Sequence, residues 1–278
     1  MIRNASAKKF IVRRCKSAAT RGHAIALLGL VLESSAKANI KKKGEMIMAI
    51  PVLIIGKSGT GKSASMRNCQ CDDWNTIRVL NKPFPFRGHI KGWKTDDYTQ
   101  VMKCLAQSKA KSIVIDDAGY LITNQFMRGH GNTGTGNAQF QFYNTIADHF
   151  WALVNYITSL TDDNKIVYVI MHEQTDDNGD TRPKTIGKLL DDKVCVEGMF
   201  TVVLRCVIDN GDHLFVTQAE DRAVSKSPEG MFDSDKIPND LRMVDTKIRE
   251  YYGLAAINYD NTNNEEKENK SNAETAGV

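Results

Sequence analysis

The stretch Gly56–Ser63 reads "GKSGTGKS" and fits the pattern G-x-x-x-x-G-K-[ST] at every fixed position. Gly56, Gly59 and Gly61 leave the backbone free to turn, so that N–H groups from Lys57, Ser58, Thr60 and their neighbours can converge on a phosphate. The positive end of a following helix would reinforce that attraction. Lys62 has the reach for the β- and γ-phosphates, and the Ser63 hydroxyl is a ligand for Mg²⁺. Residue types and spacing thus point to a nucleoside triphosphate, with ATP as substrate and Mg²⁺ as cofactor.

A second constellation is "SIVIDDAG" at Ser112–Gly119. A short apolar run delivers Asp116 to the end of a buried strand, where a carboxylate can orient the Mg²⁺ shell. Asp117 follows where many P-loop ATPases carry a water-polarising carboxylate; a solvated or capping aspartate is the competing reading. A third constellation, "YVIMHEQTDD", places His172 and Glu173 at the tip of another apolar run. His172 is the candidate γ-phosphate sensor and Glu173 a candidate carboxylate, against a plain loop-facing pair. They do not open an H-E-x-x-H zinc site, because Asp176 stands where the second histidine belongs. "NKPF" at Asn81–Phe84 imitates the start of a guanine-reading N-K-x-D, but Phe84 replaces the aspartate, so GTP is not indicated.

The elements that must position these residues follow from periodicity. Val52–Ile55 is wholly apolar and ends at Gly56, the mark of a parallel strand buried on both faces. Lys62–Cys69 is expected to form the following helix, and Thr76–Leu80, Ser112–Ile115 and Lys165–Met171 further strands. Thr95 is the expected cap of a helix with Asp96 and Asp97 in its first turn. The Gly-rich Met127–Asn137 reads as a mobile loop, ahead of a long helix marked by Phe140, Tyr143, Ile146, Phe150, Leu153, Val154 and Ile157. "FTVVLRCV" and "HLFVTQ" flank "IDNGDH", a hairpin signal, and a last helix is expected over Asp240–Tyr252. This order implies an α/β fold: a P-loop NTPase core with a largely parallel central sheet flanked by helices, plus a C-terminal β-hairpin. A strand and a helix intervene between the phosphate-binding helix and the Asp116 strand. That order predicts a further strand separating the Asp116 strand from the phosphate-binding strand within the sheet, as in RecA-like and AAA-type ATPases.

Composition sets the outer limits. The chain has 278 residues, 41% hydrophobic and 25% charged, which is ordinary for a globular protein. No apolar run approaches the roughly 20 residues needed to span a bilayer. The six cysteines (Cys15, Cys69, Cys71, Cys104, Cys195 and Cys206) include no C-x-x-C pair, so reduced thiols and a cytoplasmic setting are expected. The net charge of +4 is unevenly spread: residues 1–47 hold eleven Lys/Arg and two acids, and the remainder is acidic. Bulk charge therefore gives no argument for nucleic acid. Residues 1–47 are expected to be a non-domain leader, because Lys43-Gly44-Glu45 can be encoded by a ribosome-binding sequence suitably placed before Met48. A basic helical extension and a secretory signal are the alternatives. Residues 48–258 are expected to form the ATPase domain, and 259–278 a disordered polar tail.

The segments "PVLIIGKSGTGKS", "VLNKPFPFRG", "SIVIDDAGYL", "QFYNTIADHFW", "VIMHE", "KTIGKLLDDKVCVEGMFTVVLR" and "SKSPEGMF" run in that order between Ile50 and Phe232. Together they resemble the phage-encoded RecA-like P-loop ATPases of the Sak single-strand-annealing type, often called AAA family ATPases. The resemblance implies ATP-dependent handling of single-stranded DNA in phage recombination or replication, inside a bacterial host cell. It also implies a single-strand-binding protein as partner, and a homo-oligomer with its ATP sites between subunits. On that basis Lys226 is a candidate to reach a neighbour's γ-phosphate, an ordinary exposed lysine being the alternative. Arg128 and His130, with the segment around Lys184–Lys193, fall where such proteins place DNA-contacting loops, although few aromatics for base stacking accompany them. Two further readings stay open. An AAA-type remodeller or helicase loader usually adds a helical lid where this chain has a hairpin. A nucleotide-gated scaffold with little turnover is compatible with aspartate, in place of glutamate, at position 117.

Overall fold

The structure is a computed structural model that describes residues 48–186, 194–220 and 222–259. The expectations for residues 1–47, for nearly all of the tail and for most of Lys184–Lys193 lie outside the described residues.

The apolar runs become strands of one sheet. β1 (Ile50–Gly56), β2 (Trp74–Arg78), β3 (Gly92–Lys94), β4 (Ser112–Asp116) and β5 (Ile166–Ile170) are followed by a small separate hairpin, β6 (Glu173–Thr175) with β7 (Thr181–Pro183). β8 (Val202–Asp209), β9 (Asp212–Val216) and β10 (Lys236–Pro238) complete the large sheet, whose order is β10-β9-β8-β1-β5-β4-β2-β3. The six strands from β8 to β3 are mutually parallel, and β9 and β10 add antiparallel pairs at one edge. β5 lies between β1 and β4, as the order of elements predicts. The turn from β8 to β9 is Asn210-Gly211, both left-handed at φ 49° and 90°, as a tight two-residue hairpin demands.

β1, β4 and β5 are mostly apolar and buried because both their faces are covered, with Ser112 and Asp116 as the polar ends of β4. Val52, Ile54, Val114, Tyr168 and Ile170 share one core with Met66 and with Leu241, Val244 and Ile248 of a C-terminal helix. The helices α1 (Tyr98–Gln107), α2 (Gly119–Gly129) and α3 (Asn137–Ser159) pack on one another. The C-terminal helix α4 (Leu241–Tyr252) starts at Asp240, which accepts from Arg242 N at 3.0 Å, and stops at left-handed Gly253. The packed chain reaches Tyr259, whose hydroxyl accepts from Trp74 Nε1 at 3.0 Å. Among the described residues no helix is long and apolar enough to cross a membrane.

Three local expectations are corrected. The segment after the glycine loop is a 3-10 helix over Ser63–Asn68 only. The chain must reach β2 by Trp74, and it does so through successive turns in which Cys69 N, Cys71 N and Trp74 N donate to Met66 O, Cys69 O and Cys71 O. Asp97, not Thr95, caps α1, because its carboxylate accepts from Gln100 N at 2.8 Å, while Thr95 Oγ1 accepts from Asp97 N one step earlier. Met127–Asn137 is mostly helical: α2 runs to Gly129, a 3-10 turn covers His130–Asn132, and only 133–136 are irregular. Phe126 stacks on His130 and on Tyr143, with ring centroids 4.9 and 5.7 Å apart, and these contacts outweigh the helix-breaking tendency of the glycines.

Candidate nucleotide site

The carboxyl ends of β1, β4 and β5 open onto a cleft of about 800 Å³. The loop Gly56–Ser63 forms one wall. Gly59 and Gly61 have φ of 84° and 99°, backbone that an L side chain rarely adopts, so the two glycines are what permits the turn. At Gly56 the constraint is space, since a Cβ there would lie 2.7 Å from Cys206 O and 2.8 Å from Thr60 Oγ1. Lys62 is buried and its ammonium donates to Gly56 O and Lys57 O at 2.8 and 2.7 Å. Burial, offset in part by nearby Cys206 and acids, pulls the Lys62 pKa down.

The Ser63 hydroxyl donates to Asp116 Oδ1 at 2.8 Å, so the two groups expected to hold the cation meet across the cleft floor. Burial, then the neighbouring Asp117 charge, pushes Asp116 up to about 6. Among the described residues no group of three or more His, Cys, Asp or Glu is arranged to hold a metal. One hydroxyl and one carboxylate nevertheless suit Mg²⁺, which keeps most of its shell as water and phosphate oxygen. The donor set therefore fits that ion bound together with a nucleotide, and would not make a cage without one.

Asp117 lines the same cleft with φ 59°, left-handed for a non-glycine residue. Its Oδ2 pairs with Lys82 Nζ at 2.5 Å, and its Oδ1 lies 4.0 Å from His172 Nε2. His172 meets Tyr120 edge-on, and burial, then the Lys62 charge, lowers its pKa, which favours the neutral ring. Glu173 also borders the cleft, but both its oxygens are engaged: Arg205 Nε and Nη2 donate to Oε2 and Oε1 at 2.8 and 3.0 Å. Sequence reasoning missed Lys82, Arg205 and His213. The ring of His213, on β9, meets Thr60 O through Nδ1 at 2.8 Å and ties the hairpin to the phosphate loop. Lys82 stands inside "VLNKPFPFRG" and Arg205 at the end of "KTIGKLLDDKVCVEGMFTVVLR", the signals that could have found them.

A comparison with protein families matches residues 48–229 to AAA_24, an AAA domain. The chain belongs to this AAA domain family. The match takes in the glycine loop, Asp116, Asp117, His172 and Glu173, and Lys226 near its end. Among solved structures, the KaiC-like protein PH0186 from the hyperthermophilic archaeon Pyrococcus horikoshii OT3 is similar over 72% of this chain and 94% of that one, at 12% identity and a TM-score of 0.40. Curated proteins give no match.

Of the remaining sequence candidates within this AAA domain, Lys184 borders the cleft, with its N–H donating to His172 O at 2.7 Å, while Arg128, His130 and Lys226 lie apart from it. Arg128 sits on α2 and pairs with Asp96 at 2.7 Å, and His130 is stacked on Phe126. Lys226 is half-buried, with its backbone N–H and C=O paired to Val203 at 2.9 and 2.8 Å.

Proposed function

We propose that this protein is a Mg²⁺-dependent ATPase that binds or anneals single-stranded DNA in an ATP-dependent way during phage recombination or replication. The observation that carries the ATPase part is the Ser63–Asp116 hydrogen bond of 2.8 Å at the foot of the glycine loop that holds Lys62. Loop N–H groups and Lys62 bind and orient the triphosphate, while Ser63 and Asp116 hold the ion. Mg²⁺, when bound, neutralises charge that develops on the phosphate oxygens. In this reading His172, at the tip of β5 with its pKa lowered by burial, orients the attacking water by a hydrogen bond.

The DNA part is supported by the order of motifs between Ile50 and Phe232 and their likeness to single-strand-annealing ATPases. In this reading the protein works as a homo-oligomer in the host cytoplasm with a single-strand-binding protein, Lys226 reaches a neighbour's γ-phosphate, and Arg128 and His130 face DNA. One observation favours a second reading, a nucleotide-gated scaffold with little turnover: Asp117 is held by Lys82. ATP turnover with and without single-stranded DNA, in the natural chain and in Lys62→Ala, separates the readings. Turnover that rises with DNA and vanishes in the variant supports the ATPase on DNA. Turnover indifferent to DNA points to a remodeller, and tight ATP binding without turnover to the scaffold.

A further inference from the structure

We propose that Lys82 is a second cation for the γ-phosphate, supplied by the same subunit, and that Asp117 positions it instead of activating water. The inference rests on the nucleotide site described above and assigns roles that the phosphate-loop motifs leave open.

The fold brings Lys82 to the cleft. Arg78 at the end of β2 lies opposite Asp116 in register, so the chain leaving β2 emerges beside the tip of β4. The loop that follows is held on several sides. Phe84 and Phe86 stack with centroids 4.9 Å apart, and the Arg78 guanidinium lies 4.7 Å over the Phe84 ring. Arg78 Nη1 also donates to Lys82 O at 3.3 Å, and Lys82 N donates to Leu80 O at 3.0 Å. Pro83 and Pro85 restrict the backbone further.

The anchor at the far end is as firm. The Asp117 side chain is 4% exposed against 49% for Lys82, so a buried carboxylate holds the head of a side chain that otherwise faces the open cleft. Asp117 adopts left-handed backbone, fixed on both sides by Val79 N donating to Asp116 O at 3.2 Å and Ala118 N donating to Ile170 O at 2.8 Å. An ammonium has three protons. Asp117 takes up part of that capacity, and the rest is available to the cleft that Lys62 and Ser63 line from the other wall. Burial pulls the Lys82 pKa down, but the Asp117 charge outweighs it and the net shift is upward, which keeps the ammonium charged. A carboxylate oxygen at 2.5 Å from an ammonium is correspondingly less available to a water. A terminal phosphate between the two lysines meets positive charge from both sides, whereas a diphosphate stops short of Lys82.

The test is calorimetric titration with Mg²⁺-ADP and with a slowly hydrolysed Mg²⁺-ATP analogue. Loss of one charged hydrogen bond predicts that Lys82→Met weakens the triphosphate analogue about ten- to a hundredfold while ADP affinity stays within about twofold. Lys82→Arg retains most of the triphosphate preference. Asp117→Asn, in which asparagine tolerates the left-handed backbone, reproduces the selective loss. The proposal is overturned if Lys82→Met leaves the triphosphate preference intact, or if Asp117→Asn abolishes turnover with analogue affinity unchanged, since Asp117 is then the base. A natural chain that binds neither nucleotide refutes the nucleotide site itself, a result distinct from a lost preference.

Discussion

Replacing Arg205 by methionine should destabilise the fold, because Glu173 is the buried half of an ion pair with it. Its side chain is 2% exposed and that of Arg205 19%, with two hydrogen bonds of 2.8 and 3.0 Å between them. Removing one partner strands the other charge away from water, which costs about 3–5 kcal/mol. At about 2–4 °C per kcal/mol for a chain of this size, the melting temperature should fall by about 6–20 °C. The double variant Glu173→Gln with Arg205→Met leaves no stranded charge and should recover much of that loss, a coupling of about 0.5–3 kcal/mol. Urea unfolding without nucleotide measures the three variants, and ATP turnover is read in parallel. Glu173→Gln should lower stability and spare most of the turnover. If it abolishes turnover at an unchanged unfolding midpoint, Glu173 is the reacting carboxylate and the ion-pair assignment is refuted.

Three other expectations follow from the same geometry. Asp116 is lifted from 3.8 to about 6 mainly by burial, so its ionised form burdens the nucleotide-free fold by up to about 3 kcal/mol. The folded chain holds this proton more tightly than the unfolded one. The favourable contribution is therefore complete below pH about 4 and lost as the pH rises through about 6. Asp116→Asn should thus raise the unfolding midpoint at pH 8 and not at pH 4, while Mg²⁺-nucleotide binding is lost. Gly56→Ala forces a Cβ to 2.7 Å from Cys206 O; a cost of about 1–3 kcal/mol and lost ADP binding should appear in melting and titration. Arg249→Met strands Asp245, buried with it in a 2.6 Å pair that Ser112 and Tyr168 also join, and should cost about 3–5 kcal/mol in urea unfolding.

The parts of the site legible in the sequence are those that the chemistry constrains locally. The glycine loop is legible because phosphate needs that spacing, and Asp116 because a short apolar run must deliver it. The Asn210-Gly211 turn and the helix bounded by Asp240 and Gly253 are legible because each end carries its own cap or turn residue. The end of α2 carried no such mark: its last residues and the 3-10 turn after it lie in a Gly-rich stretch, so helical chain from Met127 to Asn132 looked like a loop. The pairs Lys82–Asp117 and Arg205–Glu173 join residues on different strands or loops, far apart in the chain, and no periodicity records such a meeting. Glu173 looked like a free carboxylate because it opens the separate β6–β7 hairpin, while its partner Arg205 lies on β8 of the large sheet.

The measurement that bears most directly on the account is titration of Mg²⁺-ATP into the natural chain and into Lys62→Ala, with phosphate release followed in the same samples. Binding and turnover in the natural chain, both lost or reduced at least tenfold in the variant, is the predicted result. Equal binding by the two chains, or no binding by either, would contradict the assignment of Lys62, Ser63 and Asp116 to a nucleotide site.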